Sequence, residues 1–142
     1  MTVTVDASVW IASVIASEAG HHDCALVVRK LITGEIQLVQ PTLFLVEVAA
    51  ALGRRFPGSG QAEVAVNCLL ALAIMEEVPL DAPLAARAAR YAADFGLRGA
   101  GAVYLATATR AHTTLITLDN DIVNRAPGTA DVVTPQEWLT RE

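Results

Sequence analysis

The chain has no apolar run long enough to cross a membrane, although 54% of its 142 residues are hydrophobic. A membrane span needs about 18 or more consecutive apolar residues, and Asp6 interrupts the N-terminal candidate. A positively charged segment followed by a small-residue cleavage site, the pattern of a secretory signal, is also missing. We therefore expect a cytoplasmic protein without membrane contact, in which residues 1–142 form a single domain.

Cysteine is scarce as well. The two thiols, Cys24 and Cys68, are far apart in sequence, which favours reduced structural cysteines over a disulfide framework. His21 and His22 lie close to Cys24, but a zinc site would need a second ligand pair at a suitable distance. The sequence therefore predicts that this polar cluster opens a helix.

Basic residues are fewer than acidic ones, 10 against 15, and the net charge is −5. A protein that coats nucleic acid would show a basic face, so this balance argues against that class. It does not argue against an enzyme whose clustered acids hold metal ions, because the ions supply the positive charge.

Short β-branched segments alternate with apolar helical segments along the chain. The predicted strands are 2–6, 36–40, 114–118 and 132–134, with a marginal strand at 77–80. The predicted helices include 9–16, 21–33, 43–52, 61–75, 82–95 and 102–111. Strands separated by helices imply crossovers, so we expect an α/β fold with a mostly parallel central sheet.

Asp6 ends the first strand. An acid at the tip of a central strand in an open α/β sheet faces the crevice in which such folds bind ligands. Asp6 is equally suited to cap the helix that starts near Val9. Asp119 repeats the arrangement after the strand 114–118, and the tips of parallel strands share one edge of the sheet. The two carboxylates can therefore converge.

Glu47 lies inside the apolar helix 43–52, and its neighbours three and four residues away are apolar in both directions. A buried glutamate must be neutral, paired or bound to a cation. The alternative is a glutamate at the edge of the apolar face that reaches solvent.

Asp6, Glu47 and Asp119 together suggest a hard divalent cation, Mg²⁺ or Mn²⁺, which takes carboxylate oxygens, water and substrate phosphate as ligands. A site of this kind favours phosphodiester hydrolysis. Proton-transfer chemistry fits less well because it would require a histidine among the acids. The only candidates are the His21–His22 pair and His112, which is expected at a helix end.

The order of these segments resembles the PIN domain family, in particular the VapC-type toxins of bacterial and archaeal toxin–antitoxin pairs. The resemblance runs from Val3 to about Trp138 and includes the segments LRGAGAVYLATA (97–108) and LITLDND (115–121). It implies a three-layer α/β/α sandwich and a Mg²⁺- or Mn²⁺-dependent endoribonuclease that cleaves RNA. It also implies a homodimer inhibited by a small antitoxin.

By the same resemblance, Asp6, Glu47 and Asp119 match the first, second and fourth acids of the family, and Ser8 matches a hydroxyl position beside the first acid. The third acid is where the sequence departs from the family. An aspartate is usual at the position of Gly101. One ligand charge is therefore missing from the first turn of a helix, and metal affinity is expected to fall.

Two features could offset this loss. Asp121 could face the same side as Asp119 and act as a further metal ligand if the chain stays extended there. Capping of the short helix that follows is the favoured role for Asp121. Alternatively, the bare N–H groups around Gly101 could hold a substrate phosphate.

The leading hypothesis is a VapC-like ribonuclease with weakened activity. The second is a catalytically silent PIN fold that binds an antitoxin-like partner or RNA. A receiver domain or a haloacid-dehalogenase-like phosphatase fits worse, because the former needs a lysine near the acids and the latter needs an acid where Ser8 stands. Helices 9–16 and 64–75 carry surplus apolar surface, which suits either a dimer or antitoxin contact or core packing.

Overall fold

The computed structural model describes residues 1–34, 36–126 and 128–141. The strands in these ranges are β1 (Thr2–Val5), β2 (Gln37–Pro41), β3 (Met75–Val78), β4 (Thr114–Ile116) and β5 (Val132–Val133). The helices are α1 (Ala7–Val14), α2 (His21–Ile32), α3 (Leu43–Arg55), α4 (Gln61–Leu70), α5 (Ala82–Phe95), α6 (Gly99–Ala111), α7 (Asn120–Arg125) and α8 (Pro135–Arg141). None of these helices combines the length and the apolarity that a membrane crossing requires.

The strands form one parallel sheet in the order β3-β2-β1-β4-β5. Consecutive strands are joined through at least one helix, as parallel neighbours require. The expected α/β class with a mostly parallel sheet is confirmed.

Helices cover both faces of this sheet. Successive residues of a strand point to opposite faces, yet Val3, Thr4 and Val5 of β1 are all fully buried. α6 packs against β1, β2 and β4, and α5 packs on α6, while α1 packs against α2 and α3. The expected three-layer α/β/α sandwich is therefore confirmed.

The strand order changes direction at β1. From β1 the chain builds β2 and β3 on one side, and it then crosses to β4 and β5 on the other. In open α/β sheets, such a switch leaves a crevice at the C-terminal ends of the two central strands. Asp6 directly follows β1, and Asp119 lies in the segment after β4.

The prediction of a helix over 61–75 is wrong at its C-terminal end. α4 ends at Leu70, and β3 covers Met75–Val78 instead of 77–80. Tertiary pairing decides this boundary, because β3 is held in parallel register with β2. Pro79 follows the strand and has no N–H to donate. As predicted, β3 lies at the margin of the sheet.

Two further boundaries affect the crevice. α6 starts at Gly99, just before the predicted segment 102–111, with Arg98 as its N-cap, and Gly101 lies in the first turn as predicted. β4 ends at Ile116, and Asp119 is separated from it by Thr117 and Leu118. α2 begins with the polar cluster at 21–24, as predicted.

A buried side chain fastens β1 to β2 near the crevice, beyond the residues at which the two strands pair directly. The Oε1 atom of Gln40 accepts the N–H of Val5 at 2.8 Å, and Nε2 donates to the Val5 carbonyl at 2.7 Å. Gln40 is fully buried, so the amide satisfies two backbone groups that water cannot reach. These two hydrogen bonds fix the end of β1 directly before Asp6.

Gln40→Leu is expected to lower the free energy of unfolding by at least about 2 kcal/mol, because both backbone groups of Val5 lose their partner in the core. Urea denaturation monitored by circular dichroism measures the loss. The matched control is Gln37→Leu, an exposed position in the same strand, which should change stability by less than about 0.5 kcal/mol. Equal losses in the two variants would contradict the bridging role.

Candidate active site

A cleft of about 550 Å³ opens where β1 and β4 end. Its walls include residues from four separate parts of the chain: Asp6 and Ser8 after β1, Glu47 on α3, Gly101 on α6 and Asp119 after β4. The structure thus brings five of the six predicted site residues to one cleft.

Asp6 lines the cleft with only 9% of its surface exposed. Its Oδ1 atom accepts the N–H of Ser8 at 3.1 Å, and Oδ2 accepts the hydroxyl of Thr117 at 2.7 Å. Asp6 is therefore both the N-cap of α1 and a cleft residue, so the two interpretations are compatible. Burial raises the pKa of Asp6, these hydrogen bonds lower it, and the charge of Asp119 raises it.

Thr117 connects the two aspartates. Its hydroxyl donates to Asp6 and also accepts the N–H of Asp119 at 2.9 Å. Thr117 is fully buried, and a hydroxyl suits the position because it donates and accepts at once. Sequence reasoning missed Thr117; the available signal was a hydroxyl residue between a β-branched strand and an acid.

Asp119 caps α7, since its Oδ1 accepts the N–H of Asp121 at 2.9 Å. The prediction that Asp121 is the cap is therefore wrong: Asp121 lies in the first turn. Its Oδ1 atom is 3.3 Å from Nη2 of Arg125, and both side chains are about half exposed. Asp121 is not among the described residues that line the cleft, so it does not join the other acids.

Glu47 is half-buried on α3, and its Oε1 atom is buried without a hydrogen-bond partner of standard geometry among the described residues. Burial raises the pKa of Glu47; the nearby Tyr104 hydroxyl lowers it, and the charge of Asp6 raises it. Glu47 is therefore neither the fully buried glutamate nor the solvent-reaching glutamate that the sequence allowed, because its carboxylate is only partly withdrawn from solvent. An unsatisfied carboxylate oxygen is costly, and a cation or a proton would relieve that cost.

Gly101 leaves little room for the acid that the family pattern expects. A Cβ atom there would lie 3.1 Å from Cδ1 of Ile122 and 3.6 Å from Oδ2 of Asp119. Ile122 is fully buried on α7. The position is therefore packed by an apolar side chain and adjoins a carboxylate of the same charge as the missing acid.

Two arginines at the cleft also escaped sequence reasoning. Arg54, near the C-terminal end of α3, and Arg98, the N-cap of α6, line the cleft, and both are exposed. No ion pair ties either guanidinium to another residue within the described ranges. A free guanidinium beside a cleft is suited to a phosphate group.

Asp6, Glu47 and Asp119 are the candidate metal ligands in the cleft. Within the described residues, no three His, Cys, Asp or Glu side chains lie close enough together to hold a metal as they stand. The chemistry nevertheless fits a hard divalent cation: three carboxylates share the cleft, and one has a buried oxygen without a partner. Burial raises the pKa values of Asp6 and Glu47, with a smaller contribution from neighbouring carboxylates, and a cation would stabilise both charged forms.

Comparison with known families identifies the class of protein. Residues 3–127 match the family model of the PIN domain. Since this match spans most of the chain, the protein belongs to the PIN domain family. A comparison with curated proteins finds no match.

Solved structures share the fold. VapC20 of Mycobacterium tuberculosis, described as a sarcin–ricin-loop-cleaving toxin, is 20% identical with a TM-score of 0.72, over 92% of this chain and 98% of that chain. VapBC2 of Rickettsia felis, bound to a promoter DNA fragment, is 9% identical with a TM-score of 0.68, over 94% and 98%. PAE2754 of Pyrobaculum aerophilum is 22% identical with a TM-score of 0.66, over 99% and 97%. At these identities the likeness shows the fold.

Thr117→Val keeps the shape of the side chain but removes both hydrogen bonds. We expect the pKa of Asp6 to rise further and the free energy of unfolding to fall by about 1–3 kcal/mol. Carbon-13 NMR of the carboxyl groups during a pH titration measures the pKa. Urea denaturation measures the stability.

The sign of the pH dependence follows from the raised pKa of Asp6. The stability that protonated Asp6 contributes is complete below the pKa of about 4 that it has in the unfolded chain. This stability is lost as the pH rises through the higher pKa of the folded state. The stability gap between wild type and Thr117→Val should therefore widen with pH. Thr107→Val is the control, because that buried hydroxyl donates within α6 to Val103. An unchanged Asp6 pKa in Thr117→Val would contradict the linking role.

Proposed function

We propose that the protein is a metal-dependent endoribonuclease of the VapC toxin type, with activity reduced by the absence of the third acid. One observation carries the proposal: Asp6, Glu47 and Asp119 line a single cleft, with Arg54 and Arg98 beside them. PIN domain proteins are typically nucleases, which agrees with this arrangement.

The three acids have separate roles in this proposal. Asp6 and Asp119 hold Mg²⁺ or Mn²⁺, and Glu47 holds the same ion or orients the attacking water. When bound, the cation offsets the charge of the phosphodiester and makes water easier to deprotonate. The raised pKa of Glu47 suits its carboxylate to accept the proton of that water at neutral pH.

The remaining cleft residues bind the substrate. The guanidinium groups of Arg54 and Arg98 pair with RNA phosphates, which the net charge of −5 would otherwise repel. The hydroxyl of Ser8 and the bare N–H groups around Gly101, at the start of α6, contact the phosphate to be cleaved. The water oxygen bonds to phosphorus while the P–O bond to the leaving nucleotide breaks.

We also propose a cytoplasmic homodimer that a small antitoxin inhibits. A Klebsiella pneumoniae structure with this fold is described as a toxin–antitoxin complex. Apolar side chains on two helices support a partner surface: Val14 is 60% exposed, Val64 63% and Leu70 52%. Within α4 only Leu69 is fully withdrawn into the core, and core packing does not account for the exposed Val64 and Leu70.

The central test is RNA cleavage with and without Mn²⁺. Wild type should cleave a fluorescent RNA in excess Mn²⁺ and stop when the ion is chelated, because the cation supplies the charge that the cleft lacks. Asp6→Asn should lower the rate by at least about 100-fold, as expected for a lost electrostatic group. Asp94→Asn on α5 changes an exposed acid and should leave the rate unchanged. Equal rates in Asp6→Asn and wild type would exclude the proposed site.

An aspartate can be introduced at position 101 if the neighbouring side chain of Ile122 is shortened. Ile122→Val removes the Cδ1 atom that a Cβ at position 101 would meet. Gly101→Asp in that background should tighten Mn²⁺ binding and raise cleavage by on the order of tenfold, equivalent to about 1.4 kcal/mol. Ile122→Val alone should cost about 0.5–1.5 kcal/mol of stability without any gain in activity. If the double variant binds Mn²⁺ no better than Ile122→Val, position 101 is not the place of the third acid.

Two observations support an alternative function: Ile122 packs against Gly101, and no three acids among the described residues form a closed cluster. In that case the protein is a catalytically silent PIN fold that binds an antitoxin-like partner or RNA. Wild-type cleavage would then stay at background in excess Mn²⁺, while RNA binding measured by fluorescence anisotropy would persist.

A further inference from the structure

Tyr104 is buried behind the acids of the cleft. It lies on α6, one turn after Gly101, and only 1% of its surface is exposed. Its hydroxyl oxygen is buried and has no hydrogen-bond partner of standard geometry among the described residues. A phenylalanine would fill the same space without this cost, so the hydroxyl needs an explanation.

The neighbours of the Tyr104 hydroxyl explain why it is present. It lies beside the carboxylate of Glu47, whose Oε1 atom is likewise buried and without a partner, and close to the N–H of Ala7. One buried donor and one buried acceptor therefore lie near each other without a hydrogen bond of standard geometry. Glu47 belongs to α3, Ala7 to the start of α1 and Tyr104 to α6, so three elements of the cleft meet at this point.

The neighbouring groups also determine the direction of a hydrogen bond between Tyr104 and Glu47. A tyrosine hydroxyl has an ordinary pKa of about 10, so it is protonated at neutral pH. The phenol therefore keeps its proton. Since the N–H of Ala7 can only donate, the single phenolic proton is available to Glu47.

We infer that Tyr104 is a positioning residue, whose O–H donates to Glu47 and holds that carboxylate toward Asp6 and Asp119. This inference rests on the proposed function for the role of Glu47 toward a cation. With Gly101 in place of an acid, the cleft has three carboxylates, so the orientation of each one has more effect on cation binding. Hydrogen-bonding partners of ligand carboxylates commonly change metal affinity by about 10–100-fold.

The test is Tyr104→Phe, which keeps the ring and removes only the hydroxyl. We expect Mn²⁺ to bind about tenfold more weakly by isothermal titration calorimetry. We also expect the carbon-13 shift of the Glu47 carboxyl carbon to move in the metal-free protein at constant pH. Tyr91→Phe is the matched control: Tyr91 packs against Phe95 on α5, and its loss should change neither readout.

A double-mutant cycle with Glu47→Gln separates positioning from a general effect on the fold. If Tyr104 acts through Glu47, Tyr104→Phe should weaken Mn²⁺ binding much less in the Glu47→Gln background. An equal loss in both backgrounds would overturn the inference. A Glu47 carbon shift that does not move in Tyr104→Phe would overturn it as well.

The failure of the proposed function gives a different pattern. Suppose that wild type does not bind Mn²⁺ while the Glu47 carbon shift moves in Tyr104→Phe and not in Tyr91→Phe. That result would confirm the contact between Tyr104 and Glu47 and exclude the cation site. If wild type binds Mn²⁺ with the same affinity as Tyr104→Phe, the positioning role fails and the cation site stands.

Discussion

The buried carboxylate of Asp6 is the constraint on which the edge of the sheet depends. Only 9% of the residue is exposed, and a charged group withdrawn from water is tolerated only when its oxygens are satisfied. Thr117, which follows β4, and the N–H of Ser8 on α1 both donate to Asp6, and Gln40 ties the strand that precedes the aspartate to β2. The cleft is thus built on the ends of paired strands, where position is set by the sheet.

The same constraint gives the cleft its electrostatic character. Burial raises the pKa of Asp6 and of Glu47, and the charge of Asp119 on Asp6 and of Asp6 on Glu47 adds to the effect. At position 101, where the family resemblance predicts a further acid, Ile122 packs close to a glycine. Under the proposed function, this apolar contact takes the place of a charged ligand, which favours stability of the free protein over affinity for a cation.

Much of the fold could be predicted from local sequence. β-branched segments between apolar helices indicated a parallel α/β sheet, and the acids at the ends of two of them indicated where a site would form. The boundary between α4 and β3 could not be predicted, because pairing with β2 decides it. Asp121 was assigned the cap of α7, but Asp119 takes it. Either aspartate satisfies the local pattern, and only the position of the chain after β4 selects one.

The sequence by itself determined the class of fold and the membership of the PIN family, and it predicted the acids that line the cleft, because these depend on residue type and order. The tertiary structure alone decided which side chains support those acids. Thr117 is 111 residues from Asp6, and Tyr104 reaches Glu47 from another helix. Contacts of this kind leave no periodic trace in the sequence, since they arise only when separate elements pack against one sheet.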